Sequence, residues 1–361
     1  MNKKILFLVA HRPGRSPGQR FRFEQYLKYL ESSGFQYQIS YLISEKDDAI
    51  FYGKGRWFSK VRIVLKSILR RIVDLQRAAE YDAVFLYREA IMLGTAIFEK
   101  ALKRRGVKVV LDFDDSIWLN DTSDGNRSLS WLKNPSKTST LVALSDLVIV
   151  GNKYLHDWAA KYSNNVHIIP TTIDTSYYLA QKKPVGSPVC IGWTGSSTTL
   201  KHLRLSLPVL RQLQIKYGQT VCFRVICDTP LETDLPQLQN VKWSARSEVE
   251  DLMAIDIGIM PLPDDAWSKG KCGFKGLQYM ALEIPAVMSP VGVNTEIVSD
   301  GQNGFLAASD QEWFQKLSQL IESAELRARL GRAGRQTVVD RYSFDSQKEH
   351  FVGLFRQLCA I

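Results

Sequence analysis

Residues 269–292 read KGKCGFKGLQYMALEIPAVMSPVG, and this is the most informative stretch of the chain. It begins as a glycine-rich, basic loop and continues into a helical pattern that Pro285 ends, and an apolar run follows at once. Backbone N–H groups at a helix start carry partial positive charge and bind phosphate well. The stretch therefore predicts an α/β fold with an anion site at a helix start. A basic loop that merely caps a structural helix is the alternative.

Five residues of this stretch are candidates for binding a phosphate-bearing ligand. Lys271 and Lys275 supply full positive charges, and Gly273 and Phe274 lie at the helix start. Gln278 follows Lys275 by three residues, so both lie on the same helical face. Its amide can hydrogen-bond a sugar hydroxyl.

Residues 191–199, IGWTGSSTT, form a second glycine turn after another predicted strand. Open parallel sheets bind ligands at such strand ends. Gly195 allows close approach of the backbone to a diphosphate, and Ser196 and Ser197 offer hydroxyl donors. The turn is neither Gly-x-Gly-x-x-Gly nor a Walker loop, which disfavours dinucleotides and ATP. A tight turn without a ligand explains it equally well.

Short apolar runs alternate with helical patterns along the whole chain, as is typical of parallel α/β sheets. The 361 residues suit two domains. The pattern weakens at residues 171–188, where we place the linker. We predict Rossmann-like domains at 1–175 and 176–344, with a final helix, about 345–361, packed back on the first. The predicted strands are Ile5–Ala10, Ala83–Tyr87, Val107–Phe113, Leu147–Val150 and Val166–Ile169, then Val189–Trp193, Val221–Cys227, Val241–Trp243, Ile257–Met260 and Ala286–Ser289.

Three acids end a predicted buried strand in the first half: Asp112, Asp114 and Asp115. Loops after such strands line the binding edge of the sheet. The acids suit recognition of sugar hydroxyls, a catalytic base or a divalent metal, and solvated acids capping a helix are the alternative. No histidine accompanies them, so we predict no metal site.

Four further polar residues end neighbouring strands or follow them. Arg88 and Glu89 follow the strand that ends at Tyr87, and Arg88 can pair with one of the acids or bind substrate. His11 and Arg20 flank the loop after the first strand. We predict that these residues face the acceptor, with His11 and the three acids as the candidate catalytic groups, although a lone histidine is more often structural.

The positive charge of the chain, +10 in total, is concentrated at residues 54–77, which hold eight Lys/Arg and one acid. A basic amphipathic helix with Trp57 and Phe58 at one end suits an anionic membrane surface. A domain helix with a solvated basic face is an equally weighted alternative, and no aromatic-basic RNA motif supports nucleic acid. The apolar stripe comprises Val61, Val64, Leu65, Ile68, Ile72 and Leu75, and the basic residues off it are Lys60, Arg62, Lys66 and Arg70.

The composition is that of a globular protein, with 45% hydrophobic and 23% charged residues. The five cysteines show no ligand or disulfide spacing, which indicates a reducing compartment. The apolar run at the N-terminus is short for a secretory signal, and no run reaches the ~20 residues of a membrane span. We therefore expect a cytoplasmic protein, with a possible peripheral position at the inner face of the cell membrane.

Together these segments resemble the group 1 (family 4) glycosyltransferases of the GT-B fold over nearly the whole chain. Residues 279–287, YMALEIPAV, are similar to the family's Met-Ala-x-Gly-x-Pro-Val-Val turn, and residues 296–305 to its usual continuation. Residues 112–118, DFDDSIW, resemble the bacterial branch that acts on surface polysaccharides. The family's Glu-x7-Glu pair maps to Gly270 and Gln278, so both acids are absent.

The resemblance implies two Rossmann-like domains whose parallel sheets face a central cleft, with the nucleotide-sugar in the C-terminal domain. It implies sugar transfer to a hydroxyl of a glycan or lipid-linked acceptor, with retention, no metal and no cofactor, since the nucleotide-sugar is a substrate. Trp193 occupies the family's phosphate-binding arginine position, and Lys201 is the nearest stand-in for its lysine. A non-catalytic GT-B scaffold or nucleotide-sugar-binding protein is the main alternative, and a Rossmann oxidoreductase, which lacks its glycine motif here, is the third.

Overall fold

The structure is a computed structural model that describes residues 3–53, 55–119, 134, 136–180 and 188–360. Lys54 of the basic stretch and residues 181–187 of the predicted linker lie outside this range. Internal contacts divide the chain into two compact units. Unit 1 comprises Met1–Thr171 and Gln347–Ile361, and unit 2 comprises Thr172–Ser346.

Unit 1 is built on a six-stranded sheet in the order β2-β1-β3-β4-β5-β6. Every neighbouring pair of strands is parallel. The strand order reverses between β1 and β3, and ligands bind at such a switch point in open α/β sheets. The strands are β1 Lys3–His11, β2 Phe35–Ile43, β3 Ala83–Tyr87, β4 Lys108–Phe113, β5 Leu147–Val150 and β6 Val166–Ile168.

Among the described residues of unit 1, seven α-helices lie wholly within the unit: α1 Pro17–Arg22, α2 Leu27–Ser32, α3 Glu45–Tyr52, α4 Trp57–Arg77, α5 Ile97–Arg104, α6 Lys137–Leu144 and α7 Lys153–Ala159. Its core is rich in aromatic rings. Phe7 stacks on Phe23 with ring centroids 5.2 Å apart, and Phe351, from the C-terminal segment of the unit, stacks on Tyr26 at 4.4 Å. Such pairs stabilise a core beyond the burial of their area.

Unit 2 contains the second six-stranded parallel sheet, in the order β12-β11-β10-β7-β8-β9. When the strands of this sheet are numbered 1 to 6 along the chain and read from the β9 edge, the order is 3-2-1-4-5-6, which is that of the Rossmann fold. Its switch point lies between β7 and β10. The strands are β7 Val189–Thr194, β8 Val221–Cys227, β9 Leu238–Lys242, β10 Ile257–Met260, β11 Ala286–Met288 and β12 Phe305–Leu306.

The helices of unit 2 begin with α8 Leu200–Leu203, α9 Leu207–Tyr217, α10 Glu248–Met253, α11 Ala266–Lys269, α12 Phe274–Ala281, α13 Asn294–Ile297, α14 Asp310–Glu322 and α15 Ala324–Thr337, and α16 Phe344–Leu358 starts in unit 2 and continues into unit 1. Helix α12 packs on β10, where a Cβ on Gly258 would lie 2.3 Å from the Tyr279 ring. Only glycine permits this approach. Within the described residues no helix is long and apolar enough to cross a membrane.

The predicted α/β fold with two parallel sheets is confirmed, and the differences are local. Strand β2 was not predicted, although residues 35–41, FQYQISY, alternate apolar and polar side chains as a strand does. The helical segment between β1 and β2 is broken at Phe23, whose backbone leaves the helical region with φ −138° and ψ −31°. Phe23 is fully buried, so core packing overrides the local helical preference.

Candidate functional site

The glycine turn after β7 is held tightly at the switch point of the second sheet. A Cβ on Gly195 would lie 2.4 Å from the Trp193 ring and 2.7 Å from Thr199 Oγ1. Gly195 N donates to Ile226 O at 3.0 Å. The turn therefore requires glycine and brings backbone close to Trp193.

The two serines of this turn are already engaged within unit 2. Ser197 N and Oγ donate to the carboxylate of Asp228, at 2.7 and 3.0 Å. Ser196 Oγ lies 2.9 Å from Thr198 Oγ1. These contacts fix the shape of the turn, and both serines are exposed.

The predicted helix start in the basic glycine segment is the start of α12. Gly273 is the residue before the helix, in the left-handed conformation with φ 67°. A Cβ there would meet Ile297 Cδ1 at 2.3 Å, so only glycine fits. Phe274 and Lys275 form the first turn, half-buried, and the remaining six residues of the helix are buried.

Three lysines of the candidate anion site act electrostatically on one buried histidine that the sequence did not single out, His202 in α8. The pKa of His202 is lowered to about 4, first by burial and then by Lys275, Lys201 and Lys271, and Asp265 opposes this shift. The Nζ of Lys275 lies 5.6 Å from the centre of the Trp193 ring. The two glycine segments therefore meet at one positive region of unit 2, suited to an anion.

Gln278 is buried in α12, one turn after Lys275. Its Nε2 donates to Tyr178 Oη at 3.0 Å. Tyr178 lies far away in sequence, and no local pattern marks it as a partner.

In unit 1 the structure separates the three predicted acids. Asp112 is fully buried and forms a two-pronged ion pair with Arg22, whose Nε and Nη2 lie 3.1 and 2.6 Å from its oxygens. Arg22 also donates to Ile169 O. Arg22 was missed because its partner lies 90 residues away.

Asp114 and Asp115 share one guanidinium. Arg88 Nη2 lies 2.7 Å from Asp114 Oδ1 and 2.6 Å from Asp115 Oδ2. Tyr87 Oη donates to Asp114 at 2.9 Å. Burial pushes the pKa of Asp114 up, but Arg88 and Arg22 outweigh it and lower that pKa, so the carboxylate is charged. Arg88 has φ 67°, a left-handed backbone that is rare for a side-chain-bearing residue.

The loop after β1 reaches the same edge. A Cβ on Gly18 would lie 2.0 Å from Tyr87 Oη and 3.4 Å from Asp114 Oδ2. His11 Nε2 lies 2.6 Å from Tyr52 Oη. Burial, then Arg15, lowers the pKa of His11 to about 4, so its imidazole is neutral near pH 7.

The two remaining acceptor candidates lie differently. Arg20 is half-buried, with its guanidinium carbon 4.9 Å from the centre of the Phe21 ring. Glu89 forms an ion pair with Lys137. The structure thus brings together Asp114, Asp115 and Arg88, and gives Glu89 a separate partner.

Part of unit 2 matches a known protein family, and the whole chain is similar to several solved structures. Residues 188–323 match the family model described as "Glycosyl transferases group 1". No curated protein matches the chain. The catalytic domain of starch synthase IV from Arabidopsis thaliana, bound to ADP and acarbose, is similar with a TM-score of 0.70 at 14% identity, covering 100% of both chains.

Two other solved structures are similar over nearly their full length. Anabaena Alr3699/HepE in complex with UDP-glucose has a TM-score of 0.69 at 13% identity, covering 98% of this chain and 99% of that one. Sucrose-phosphate synthase from Thermosynechococcus elongatus has a TM-score of 0.68 at 12% identity, covering 99% of each. The GT-B fold prediction is confirmed.

The family match lies within unit 2 and contains both glycine segments. Unit 2 therefore carries a group 1 glycosyltransferase domain, and the predicted enzyme class, a glycosyltransferase, is confirmed.

Proposed function

We propose that this chain transfers a sugar from a nucleoside-diphosphate donor to a hydroxyl of a glycan or lipid-linked acceptor of a bacterial surface polysaccharide. The observation that carries the proposal is the meeting of the two glycine segments: Lys275, in the first turn of the glycine-capped helix α12, lies 5.6 Å from the centre of the Trp193 ring, against which Gly195 packs. Three lysine side chains and the N–H groups at a helix start are suited to binding a diphosphate. Similar solved structures hold ADP, UDP and UDP-glucose, which supports this ligand class.

In the proposed reaction, the bond between the sugar C1 and the diphosphate oxygen breaks and a bond from C1 to the acceptor oxygen forms. The acceptor proton passes to an oxygen of the leaving diphosphate. Negative charge grows on that diphosphate in the transition state, and preorganised positive groups stabilise it without reorganisation. Transfer on the face that the diphosphate leaves gives retention of the anomeric configuration.

The proposed chemistry needs no metal and no cofactor. Asp114 and Asp115 share Arg88 at 2.7 and 2.6 Å, and a divalent cation there would have to compete with that guanidinium. We assign these two carboxylates, with the neutral imidazole of His11, to hydroxyls of the sugar or acceptor. Asp112 helps to hold the site in shape through its buried ion pair with Arg22.

The test is a panel of UDP-, GDP- and ADP-sugars, assayed for hydrolysis and for transfer to simple acceptors, with and without EDTA. Turnover of one donor that EDTA leaves unchanged supports the proposal. Tight nucleotide binding without any turnover would identify the non-catalytic scaffold instead. Activity abolished by EDTA and restored by manganese would contradict metal independence.

We also propose that residues 57–77 attach the enzyme to an anionic membrane, where a lipid-linked acceptor is presented. Helix α4 exposes a broad apolar face, on which Phe58 is 89% exposed and Leu69 64% exposed. The whole exposed apolar face consists of Trp57, Phe58, Val61, Leu65, Leu69, Ile72 and Val73. An amphipathic helix in a membrane interface presents such a face to the lipid.

The opposite face of α4 is polar and fastened to unit 1. Arg71 donates to Ala90 O at 2.6 Å and to Val9 O at 2.8 Å, and it pairs with Asp74 at 2.6 Å. Of the predicted stripe, Val61, Leu65 and Ile72 are exposed, and Val64, Ile68 and Leu75 are half-buried, so unit 1 covers the stripe only in part. Lys60, expected on the solvated side, is buried. The exposed basic residues beside the stripe are Arg62, Lys66 and Arg70, with Lys100 and Arg104 on the adjoining helix α5.

Co-sedimentation with phosphatidylcholine vesicles, with and without phosphatidylserine, tests the attachment. Reversing Arg62, Lys66 and Arg70 to Glu should release the protein, since each basic residue contributes about 1 kcal/mol near an anionic surface. Replacing Phe58, Leu65 and Leu69 by Ser should release it as well. The matched control is Ile215→Ser in unit 2, which also removes an exposed apolar side chain, 85% exposed. Unchanged vesicle binding by both triple variants would contradict attachment.

A further inference from the structure

A buried chain of hydrogen bonds in unit 2 ends at Gln278. Gln278 Nε2 donates to Tyr178 Oη at 3.0 Å, and Tyr178 Oη donates to Glu248 Oε2 at 2.9 Å. Trp243 Nε1 donates to the other oxygen, Glu248 Oε1, at 3.1 Å. Gln278, Tyr178 and Glu248 are all buried. In a medium of low polarity each of these bonds is costly to lose.

The carboxylate fixes the direction of the chain. Trp243 Nε1 and Tyr178 Oη both donate hydrogen bonds to Glu248, and a tyrosine hydroxyl has only one proton to donate. The Tyr178 oxygen then has only acceptor capacity left for Gln278, which must present Nε2. If the Gln278 amide were flipped, its Oε1 would face Tyr178 Oη, whose proton is already directed to Glu248. The amide of Gln278 is therefore held in one orientation.

Tyr178 is itself held in place through the backbone around it. Arg335 Nη1 donates to Tyr178 O at 2.8 Å, and its Nη2 donates to Thr175 O at 3.3 Å. Ile173 N donates to Tyr342 O at 2.8 Å. The segment that carries Tyr178 is thus fastened to α15 and the turn after it, so the hydroxyl is a fixed reference for the amide.

We propose that Tyr178 and Glu248 are positioning residues that hold Gln278 Oε1 ready to accept a hydrogen bond from a ribose hydroxyl of the donor. The inference rests on the proposed binding of a nucleotide-sugar in unit 2. Across the described residues no protein group donates to Gln278 Oε1, while Nε2 is committed to Tyr178.

Nucleotide discrimination tests the role of Tyr178. The probe is the nucleoside diphosphate that the wild type binds best in a UDP, GDP and ADP panel, compared by calorimetry with its 2′-deoxy and 3′-deoxy forms. Tyr178→Phe should lower affinity for the ribonucleotide about 3- to 10-fold, the loss of one neutral hydrogen bond, and leave one deoxy form nearly unaffected. The ratio of the affinity for the ribonucleotide to the affinity for that deoxy form, the ribo-to-deoxy ratio, then becomes smaller. The control is Tyr177→Phe, an exposed neighbour outside the chain, which should keep the wild-type ratio.

A charge exchange tests the direction of the chain. Gln278→Glu places a second carboxylate against a hydroxyl whose proton is already given, so nucleotide affinity falls. Adding Glu248→Gln lets the Tyr178 proton turn to the new carboxylate and supplies an amide donor from the other side. The double variant should therefore bind more tightly than Gln278→Glu alone. Thermal unfolding of each variant shows that unit 2 is folded.

Two results overturn the proposal while leaving the proposed function standing: an unchanged ribo-to-deoxy ratio in Tyr178→Phe, or simple additivity of the two substitutions in the exchange. A wild type that binds no nucleoside diphosphate at all overturns both. Glu248→Gln alone provides the same ratio measurement if Tyr178→Phe does not fold.

Discussion

The two parallel sheets end in edges of opposite electrostatic character. At the edge of unit 1 each carboxylate has a guanidinium: Asp112 pairs with Arg22, and Asp114 and Asp115 with Arg88. At the edge of unit 2, lysines dominate the surroundings of His202, with Asp265 the opposing charge named above. Three carboxylates thus pair with two guanidinium groups at the first edge, whereas lysines outnumber acids at the second.

The difference shows how one type of sheet serves two tasks. An edge of buried ion pairs gains rigidity, because each pair fixes the side chains that form it. A positive edge keeps a potential that attracts an anion and stabilises growing negative charge. Substitutions at each edge should therefore have different consequences, stability in unit 1 and ligand affinity in unit 2.

The largest effect should come from breaking the buried pair of unit 1. Arg22→Ala leaves Asp112 buried without its partner, and removing one member of such a pair costs about 3–5 kcal/mol of unfolding free energy. Urea denaturation followed by fluorescence measures it. The control replaces both residues, Arg22→Met with Asp112→Leu, which should cost less because no charge is left buried. A loss below ~1 kcal/mol for Arg22→Ala would show that the pair behaves like a surface ion pair.

This pair also shows where sequence reasoning reaches its limit. The end of β4 was predicted from its apolar run, and the three acids were correctly placed after or within it. Local pattern says nothing of a partner 90 residues away, so Asp112 could not be distinguished from Asp114 and Asp115. Burial and the long-range partner make that distinction.

In helix α4, too, a long-range contact that the sequence does not show decides which side of the helix is buried. The helical spacing of its apolar residues was visible in the sequence, but the side that packs was not. Arg71 and Asp74 face inward because carbonyl groups of Val9 and Ala90 accept from the guanidinium. These acceptors belong to the backbone of distant segments, which no periodicity reports.

The second effect concerns ligand affinity at the positive edge. Lys275→Ala should weaken binding of the donor by ~1.5–3 kcal/mol, the value of a hydrogen bond to a charged group, which is roughly 10- to 150-fold in Kd. Calorimetry with the preferred nucleotide-sugar measures it. Lys216→Ala, on the exposed surface of α9, should leave the affinity unchanged. Wild-type affinity in Lys275→Ala would remove this lysine from the donor site.

In unit 2 the sequence predicted the groups that local pattern marks, glycines before a helix and lysines beside them. It missed His202 and Tyr178, which reach the same region by tertiary packing. His202 follows Lys201 directly, and a histidine between basic residues of the adjoining loop was the one available signal. For Tyr178 there was none.

The smallest effect is a change in the pKa of His202, and it reports directly on the positive edge. In the free protein burial and the lysines lower this pKa to about 4, so the imidazole is neutral at pH 7. A bound diphosphate adds negative charge nearby and should raise the pKa by about one unit, equal to 1.36 kcal/mol. Because the ligand-bound protein has the higher pKa, the nucleotide-sugar binds more tightly as the pH falls from that raised pKa towards 4. At neutral pH the imidazole is uncharged in both states, so the affinity does not depend on this group. NMR titration of the imidazole Cε1–H, with and without nucleotide-sugar, measures the shift. The pKa of His167 in unit 1, also lowered by burial, should stay where it is. An unmoved His202 at saturation would place the diphosphate away from the three lysines.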